Sequence, residues 1–365
     1  MSKSEDFKIK NNVLKKYIGK GGGIVIPNNV TKIDTFAFKK STNLTSIDIP
    51  ESVIEIGCCA FYGCSNLKSI VIPNSVKIIG REAFVYCSSL KSITIPIGVK
   101  IIDESTFRGC NSLTSVIIPN SVEEIGNDVF EGCNSLKAIT IPNSVTKIGY
   151  RTFYNCDNLN SITIPDTLTD IGYTAFYGCK KLSDKRGFII INNILFDYLG
   201  NETSITIPDT VTKISAIVFR GNRSLTSVII PHTVTKIGSD VFCDCTNLTS
   251  VSIPNSIKEI GLETFKNCSN LTSITLSSSL KEVSAFTFSG CSNLTSIEIP
   301  ESVKEIGMYA FEKCTSLKSI TIPNSVKTIG ESAFEYCENL TIYAKKDSYA
   351  LKYAQNENIK FQEIL

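Results

Sequence analysis

The segment LTSIDIPESVIEIGCCAFYGC, residues 44–64, contains the pattern that decides the fold. It begins with alternating apolar residues, continues through Pro50 and Gly57, and ends with Phe61 and Cys64. The same pattern recurs along the chain every 23 residues, which is a period typical of solenoid repeats. We therefore interpret the 365-residue chain as one stack of coils rather than as two or three separate globules.

Two sets of identical residues define the register of this repeat, and we call each set a column. The twelve prolines follow the 23-residue spacing, except that Pro165 and Pro208 lie 43 residues apart and Ser277 stands where a proline is expected. Thirteen of the 19 phenylalanines form a second column: Phe38, Phe61, Phe84, Phe107, Phe130, Phe153, Phe176, Phe219, Phe242, Phe265, Phe288, Phe311 and Phe334. The two columns together predict about 13 repeats.

Each part of the repeat predicts a local structure. Leu44, Ile47 and Ile49 alternate with polar residues, which predicts a short half-buried strand that ends at the following proline. The column of Gly57 indicates a left-handed backbone turn. Apolar residues spaced by three through Phe61 predict a helical turn on the outer side. Stacking such units predicts α/β-type coils with a parallel sheet on one face.

With these residues in view, the sequence closely resembles the BspA-like leucine-rich repeat proteins, whose units read LTSIxIPxSVxxIGxxAFxxC. The resemblance extends over nearly all of the chain. It implies a right-handed leucine-rich repeat solenoid of microbial origin that binds host proteins or other cells. Where the common leucine-rich repeat has Asn or Cys, this chain has Ser52, Ser75, Ser121 or Thr167, so the usual asparagine ladder is replaced.

A second, longer repeat marks the start of the coils. Residues 7–27 and 188–208 align without a gap and share F-x-I-x-N-N-[VI]-L-x-x-Y-[IL]-G. Two alternating strands about an Asn-Asn pair predict a β-hairpin, because asparagine accepts the positive φ of tight hairpin turns. Near the other end, Ser348 is placed to cap a helix over residues 349–356, and a strand follows through Phe361.

The hairpins divide the chain into blocks. We interpret the internal hairpin as a second copy of the starter unit inside one continuous solenoid domain. The predicted blocks are an N-terminal β-hairpin cap over 1–26, a first repeat block over 27–182, an internal hairpin insertion over 183–204, a second repeat block over 205–340 and a C-terminal cap over 341–365.

Composition and charge argue against several classes of function. Thirty-seven basic residues balance 35 acidic ones, and the two signs are interspersed, so no surface for nucleic acid is expected. His232 is the only histidine and stands in a turn where sister repeats carry Asn, Asp or Glu. A catalytic triad or a histidine metal site needs partners that this composition lacks. The sequence therefore predicts neither an enzyme nor a cofactor.

Eleven of the 14 cysteines form a further column: Cys64, Cys87, Cys110, Cys133, Cys156, Cys179, Cys245, Cys268, Cys291, Cys314 and Cys337. Stacked neighbours lie about 4.8 Å apart, whereas a disulfide needs β-carbons about 3.8 Å apart and zinc needs converging ligands. We expect a buried column of free thiols, which fits a reducing compartment. Of the three cysteines off the column, Cys58, Cys59 and Cys243, we expect Cys243 to be the most accessible, with a regulatory thiol there as an alternative.

The localisation signals of the sequence are weak. Residues 1–10, MSKSEDFKIK, have no apolar run typical of a signal peptide, and no apolar stretch reaches the roughly 18 residues that a membrane helix needs. The sequence thus predicts a cytoplasmic protein without membrane insertion. The family resemblance implies the alternative, a cell-surface or secreted protein.

The candidate binding face is the outward side of the predicted sheet. Alternation turns outward the residue between the two strand isoleucines, and a column of serines lies beside it. The surface is rich in hydroxyl groups, almost uncharged, and interrupted by apolar residues, which suits many weak contacts with a protein. The alternative interpretation is that Thr and Val stand there only because strands favour them. The candidate residues are Val71, Thr94, Ile117, Thr140, Thr163, Ile229, Ser252, Thr275 and Glu298.

These observations lead to a functional hypothesis and two alternatives. The hypothesis is a non-enzymatic, monomeric scaffold that binds a protein partner and binds neither nucleic acid, membrane nor a small-molecule substrate. The first alternative is a carbohydrate or cell-wall adhesin, against which stands the lack of tryptophan and of aromatic residues in the outward column. The second is a thiol-based redox or metal protein.

Overall fold

The computed structural model of the chain describes residues 4–165, 167–168 and 170–364. The chain divides into two compact units, the first ending at Asp184 and the second beginning at Lys185, and each is described by itself. Each unit is a β-solenoid of stacked coils, which confirms the predicted fold class. The predicted cap over 1–26 begins in residues 1–3, which lie outside the described residues.

Short strands precede the proline column in both units, and we call them the front strands. The front strands form several short sheets, within which neighbouring strands pair in parallel at an offset of one repeat, so that Ile47 lies beside Ile70 and Asp48 beside Val71. The isoleucines point into the core and the flanking residues point outward, as the alternation predicted. The front strands are Gly22–Val25, Leu44–Asp48, Ser69–Val71, Ser92–Thr94, Ser115–Ile117, Ala138–Thr140 and Ser161–Thr163 in the first unit, and Ser204–Thr206, Ser227–Ile229, Ser250–Ser252, Ser273–Thr275, Ser296–Glu298, Ser319–Thr321 and Thr341–Lys345 in the second.

A second set of strands, which the sequence analysis did not predict, lies between the proline and glycine columns. Each of these side strands has two residues, and within each side sheet neighbouring strands pair in parallel, as Glu55–Ile56 does with Ile78–Ile79. Two residues are too few for alternation to be visible in the sequence, so the sequence predicts only a turn between the proline and glycine columns. The side strands are Lys32–Ile33, Glu55–Ile56, Ile78–Ile79, Ile101–Ile102, Glu124–Ile125, Lys147–Ile148 and Asp170–Ile171, then Lys213–Ile214, Lys236–Ile237, Glu259–Ile260, Glu282–Val283, Glu305–Ile306 and Thr328–Ile329.

Each unit starts with the predicted β-hairpin. Phe7–Lys10 pairs antiparallel with Val13–Tyr17, and Phe188–Ile191 pairs antiparallel with Ile194–Tyr198. The asparagines of both turns have φ between 49° and 60°, as the Asn-Asn pair predicted. The second strand of each hairpin pairs in parallel with the first side strand of its unit. The hairpin therefore supplies the first rung of the side sheet.

The segment between the glycine and cysteine columns forms consecutive turns where a helical turn was predicted. Backbone N–H groups alternate between bonds within the coil, such as Tyr62 N to Cys59 O at 3.1 Å, and bonds to the next coil, such as Phe61 N to Ala83 O at 2.8 Å. The spacing by three is present, but half of the donors are taken by the neighbouring coil, so a helix does not form. We call this part of each coil the turn side.

The glycine column allows coils to pack closely and does not supply the left-handed backbone that the sequence predicted. Gly149 has no positive φ, and a Cβ there would lie 2.5 Å from Asn127 N of the preceding coil. Positive φ occurs instead two residues later, at Arg151 with 53°, and again at Asn155 with 56°. Non-glycine residues therefore accept the left-handed conformation in these turns.

Stacked phenylalanine rings form the centre of the core in each unit. From Phe38 to Phe176 the ring centroids lie 4.9–5.7 Å apart, and from Phe219 to Phe334 they lie 5.2–5.5 Å apart. The hairpin extends the ladder, since Tyr17 packs on Phe38 at 5.3 Å. Each coil thus completes the core of its neighbours, as expected for a repeat that cannot bury its own apolar face.

The cysteine column lies beside the phenylalanine ladder and is buried up to Cys314, which confirms the expected burial. Each thiol donates to the carbonyl oxygen of the phenylalanine in the preceding coil, as Cys110 Sγ does to Phe84 O at 3.2 Å. Burial raises the pKa of the Cys64 and Cys110 thiols to about 12. Cys337, at the end of the column, is half-buried.

The C-terminal cap has the predicted helix and strand. The helix Tyr349–Asn356 follows Ser348, whose Oγ accepts a hydrogen bond from Leu351 N at 3.2 Å. The strand Lys360–Ile364 pairs in parallel with Thr341–Lys345. Within the described ranges, no helix combines the length and apolar character that crossing a bilayer requires. The short 3₁₀ helices are Ser4–Asp6 and Lys180–Leu182.

Candidate binding face

The front strands present the predicted outward column in each unit. Large apolar side chains on this column are well exposed, with Val71 at 72%, Ile117 at 58% and Ile229 at 59%. The polar members of the candidate face are exposed as well. The first unit holds Val71, Thr94, Ile117, Thr140 and Thr163, and the second holds Ile229, Ser252, Thr275 and Glu298.

A shallow depression lies over the front strands of each unit. In the first unit it brings together Ile117, Thr140 and Thr163. In the second it brings together Thr275 and Glu298. The other candidates lie on the same columns outside the two depressions: Val71, Thr94, Ile229 and Ser252. The candidate residues therefore belong to two faces, one on each unit.

The first unit also exposes apolar residues that the sequence analysis missed. Ile97 is 66% exposed in the turn between front and side strands, and Ile78 and Ile101 point outward from the side strands. Together with Val71 and Ile117 they lie on three successive coils. We call these five residues the apolar edge. Large exposed apolar side chains on successive coils are typical of an interaction surface.

The charges of the other side strands set the apolar edge apart. At the outward position of Ile78 and Ile101, most other coils carry an acidic or basic residue. Several of these residues form ion pairs between coils: Lys32 with Glu55 at 2.8 Å, Lys147 with Glu124 at 2.7 Å and Lys236 with Glu259 at 2.5 Å. The two isoleucines at this register position were the sequence signal for the apolar edge. That signal can be used only once the position is known to face outward.

Cys243 is buried, which corrects the prediction that it is the most accessible cysteine off the column. Its side chain lies among Asp240 and Glu263, with Arg220 close to Asp240, so neighbouring coils cover it. Burial raises the pKa of its thiol to about 12. Cys58 is instead the exposed member of the three. The burial of Cys243 is not visible in the sequence, because the residues that cover it include residues of adjacent coils.

Asp240, Cys243 and Glu263 place potential metal-ligating atoms within 4.8 Å of one another, a grouping that the sequence analysis did not identify. Both carboxylates already have cations, since Asp240 pairs with Arg220 at 3.2 Å and Glu263 with Lys266 at 2.8 Å. The charge of each carboxylate is therefore already compensated by a neighbouring side chain. We assign no metal site to this group.

Comparison with known proteins places this geometry in context. A family model described as "BspA type Leucine rich repeat region (6 copies)" matches residues 8–137, 100–222, 189–292 and 281–362. The chain is similar to a leucine rich cell surface protein from Faecalibacterium prausnitzii, with 32% identity over 100% of this chain and 96% of that one and a TM-score of 0.54. It is also similar to a leucine-rich repeat protein from Bacteroides ovatus, with 30% identity over 100% and 97% of the two chains and a TM-score of 0.54.

A further solved structure extends the likeness in fold alone. A leucine-rich repeat protein from Eubacterium ventriosum is 24% identical over 86% of this chain and 90% of that one, with a TM-score of 0.51. No protein with curated annotation matches the sequence.

Proposed function

The chain belongs to the BspA-type leucine-rich repeat family, and from this premise we propose that it is a non-enzymatic scaffold that binds a protein partner. The proposed contact surface is the outward side of the front strands of the first unit, which we call its front face, together with the apolar edge. The observation that supports this most directly is the exposure of Val71, Ile97 and Ile117 on successive coils. Removing such side chains from water would favour association.

The surroundings of the apolar edge fit a protein rather than a reacting substrate. Thr140 and Thr163 border Ile117 in a shallow, open depression, and their hydroxyls can donate and accept hydrogen bonds. An apolar centre with a polar rim is the usual anatomy of a protein interface. Because the same coil geometry repeats, a partner can make similar contacts on several coils.

We further propose that the protein acts at the cell surface. The similar chain from F. prausnitzii is described as a cell surface protein, which favours this placement over the cytoplasmic one predicted from the sequence. The column thiols do not oppose it, because they are buried and hydrogen-bonded, and oxidation requires an accessible thiolate. Protease treatment of intact cells that produce the protein should degrade it. Complete protection of the protein from the protease would contradict surface exposure.

The binding proposal is tested by capture on beads that carry the full chain. Extracted cell-surface proteins are passed over the wild type and over a variant with Ile97→Asp and Ile117→Asp. We expect capture by the variant to fall at least tenfold, because a partner must desolvate two carboxylates, while the thermal unfolding curve stays unchanged because both side chains are exposed.

A matched control places the same two charges on the second unit. A variant with Ile229→Asp and Thr275→Asp should capture the partner as well as the wild type does. Loss of capture in the control alone would move the site to the second unit. Undiminished capture in a variant that combines all four substitutions would exclude the front faces.

A further inference from the structure

A groove on the turn side of the first unit lies apart from the front and side strands. Its floor is the position two residues after the phenylalanine column, where Gly109 and Gly132 follow one another in successive coils. The flanking coils carry side chains at this position, Tyr86 at one end and Asn155 at the other. With coils stacked about 4.8 Å apart, the backbone positions of Tyr86 and Asn155 are separated by roughly 14 Å, and the Tyr86 side chain occupies part of that distance.

Tyr86 forms an aromatic wall at one end of this turn-side groove. Its ring lies directly over Gly109, since a Cβ there would be 2.4 Å from Tyr86 Cδ1. Tyr62 makes an edge contact with the same ring at a centroid distance of 5.8 Å. Tyr86 remains 47% exposed. The absence of a side chain at Gly109 thus lets an aromatic ring lie on the backbone and offer a surface for stacking.

The sides of the groove are polar and electrically balanced. On one side Arg108 Nε lies 3.1 Å from Glu131 Oε2, and on the other Lys180 Nζ lies 3.3 Å from Asp157 Oδ1. Glu131 also pairs with Arg151, which in turn lies near Asp128, so each cation along the groove has a carboxylate close to it. Asn134 adds an exposed amide that can both donate and accept hydrogen bonds.

These features select one class of ligand. A polyanion finds no unpaired cation here, and an apolar ligand would have to desolvate the polar sides without replacing their hydrogen bonds. A saccharide has an apolar ring face and many hydroxyls that are donors and acceptors at once. We propose that the turn-side groove binds a neutral oligosaccharide, with a sugar ring packed on Tyr86 and hydroxyls bonded to Asn134 and to the ion pairs.

The second unit supplies matched controls at the same register position. There Gly221 is followed by Asp244 and Asn267, and Gly290 lies between Asn267 and Lys313, so this position has no pair of successive glycines. Gly221 has φ of +71° and no atom within 4 Å of an added Cβ, and Gly132 has φ of +69° with the nearest atom at 4.0 Å. Asparagine already occupies this position with positive φ at Asn155 and Asn267, so it is accommodated in either coil.

The experiment applies the full chain to a printed array of neutral and acidic oligosaccharides and then titrates the strongest neutral oligosaccharide by calorimetry. We expect the affinity for this oligosaccharide to be at least tenfold lower than that of the wild type in two variants: Gly132→Asn, which fills the floor of the groove, and Tyr86→Ala, which removes its aromatic wall. Gly221→Asn and Tyr336→Ala, the matched changes in the second unit, should bind as the wild type does.

Three results would overturn the proposal: a blank array, binding of acidic members alone, or equal binding by the wild type and both groove variants. Circular dichroism of each variant identifies any loss of fold, and the two groove variants act on different residues, so one can replace the other. Protein capture through the apolar edge is expected to be unchanged in Gly132→Asn. The two functions therefore succeed or fail independently.

Discussion

The first and second units have similar interiors and differ on their outer surfaces. Both start with an Asn-Asn hairpin, and both stack phenylalanine rings with centroids about 5 Å apart. Outside, the side strands of the first unit expose Ile78 and Ile101, whereas the equivalent position of the second unit carries charged residues such as Lys236 and Glu259.

This difference shows which positions the fold constrains. A residue that touches the next coil must match it in size, direction and hydrogen bonding, so the phenylalanine, cysteine and glycine columns recur in both units. A residue that faces water has no such partner and can change without loss of the fold. The binding properties of the two units can therefore diverge while their coils remain alike.

The largest expected effect tests whether the interiors are equivalent. Phe130→Ala and Phe265→Ala each remove a buried ring that stacks on both neighbours. We expect each to lower the free energy of unfolding by about 3–5 kcal/mol, measured by urea unfolding of the full chain. Tyr173→Ala, at an exposed position, should change it by less than about 0.5 kcal/mol. A clearly smaller loss for one of the two phenylalanines would mean that the interiors are not alike.

The glycine column tests the same equivalence through the backbone. A Cβ on Gly149 or Gly261 would lie 2.5 or 2.4 Å from a backbone nitrogen of the preceding coil. We expect Gly149→Ala and Gly261→Ala each to cost about 1–3 kcal/mol, because the coils must move apart. Asp103→Ala is the control, since this coil already has a Cβ at the position, and its loss should not exceed about 1 kcal/mol. Wild-type stability in both glycine variants would refute the close-packing role.

The fold was predictable because every contact between coils repeats in the sequence. The strand before Pro50, the Asn-Asn hairpins and the helix after Ser348 each have a local pattern with a physical cause. The side strands and the role of Gly57 were not predictable, because both depend on the distance between coils. A sequence pattern states that a residue recurs, and only the stacked backbone shows what it contacts.

The candidate sites were predictable in part for the same reason. Alternation correctly turned Ile117 and its column outward. The apolar edge required knowledge that Ile78 faces water, and the turn-side groove required Tyr86 to lie over a glycine of the next coil. Cys243 was misplaced because residues of adjacent coils cover it.

Thiol reactivity separates surface from interior at single residues. In native protein treated with a maleimide at pH 7.5, we expect Cys58 of the first unit to react fastest, because it is exposed. Cys59 should react slowly, since burial raises its pKa to about 11, and its rate should increase as the pH rises towards that value. Column cysteines such as Cys110 and Cys268 should react only after denaturation, as detected by mass spectrometry of tryptic peptides.

Removal of the exposed thiol provides the control for this labelling. Cys58→Ser should abolish the fast phase and leave the slower phases unchanged. Fast modification of Cys110 or Cys268 in the native protein would show that the column opens in solution. If only one of the two cysteines reacted fast, the interiors of the two units would not be equivalent.

The smallest effect on stability is expected from a variant in which two side-strand residues of the first unit are replaced by charged residues like those of the second unit. In a variant with Ile78→Lys and Ile101→Glu, the new residues lie on adjacent coils, as Lys236 and Glu259 do at 2.5 Å in the second unit. Exposed ion pairs contribute about 0.2–1 kcal/mol and these isoleucines are half exposed, so we expect urea unfolding to change by no more than about 0.5 kcal/mol. Capture of the protein partner should nevertheless fall at least tenfold, because the partner would have to desolvate two charges. If capture persisted with stability unchanged, the isoleucines would be no more than tolerated replacements for charged residues, and the difference between the two surfaces would have no bearing on binding.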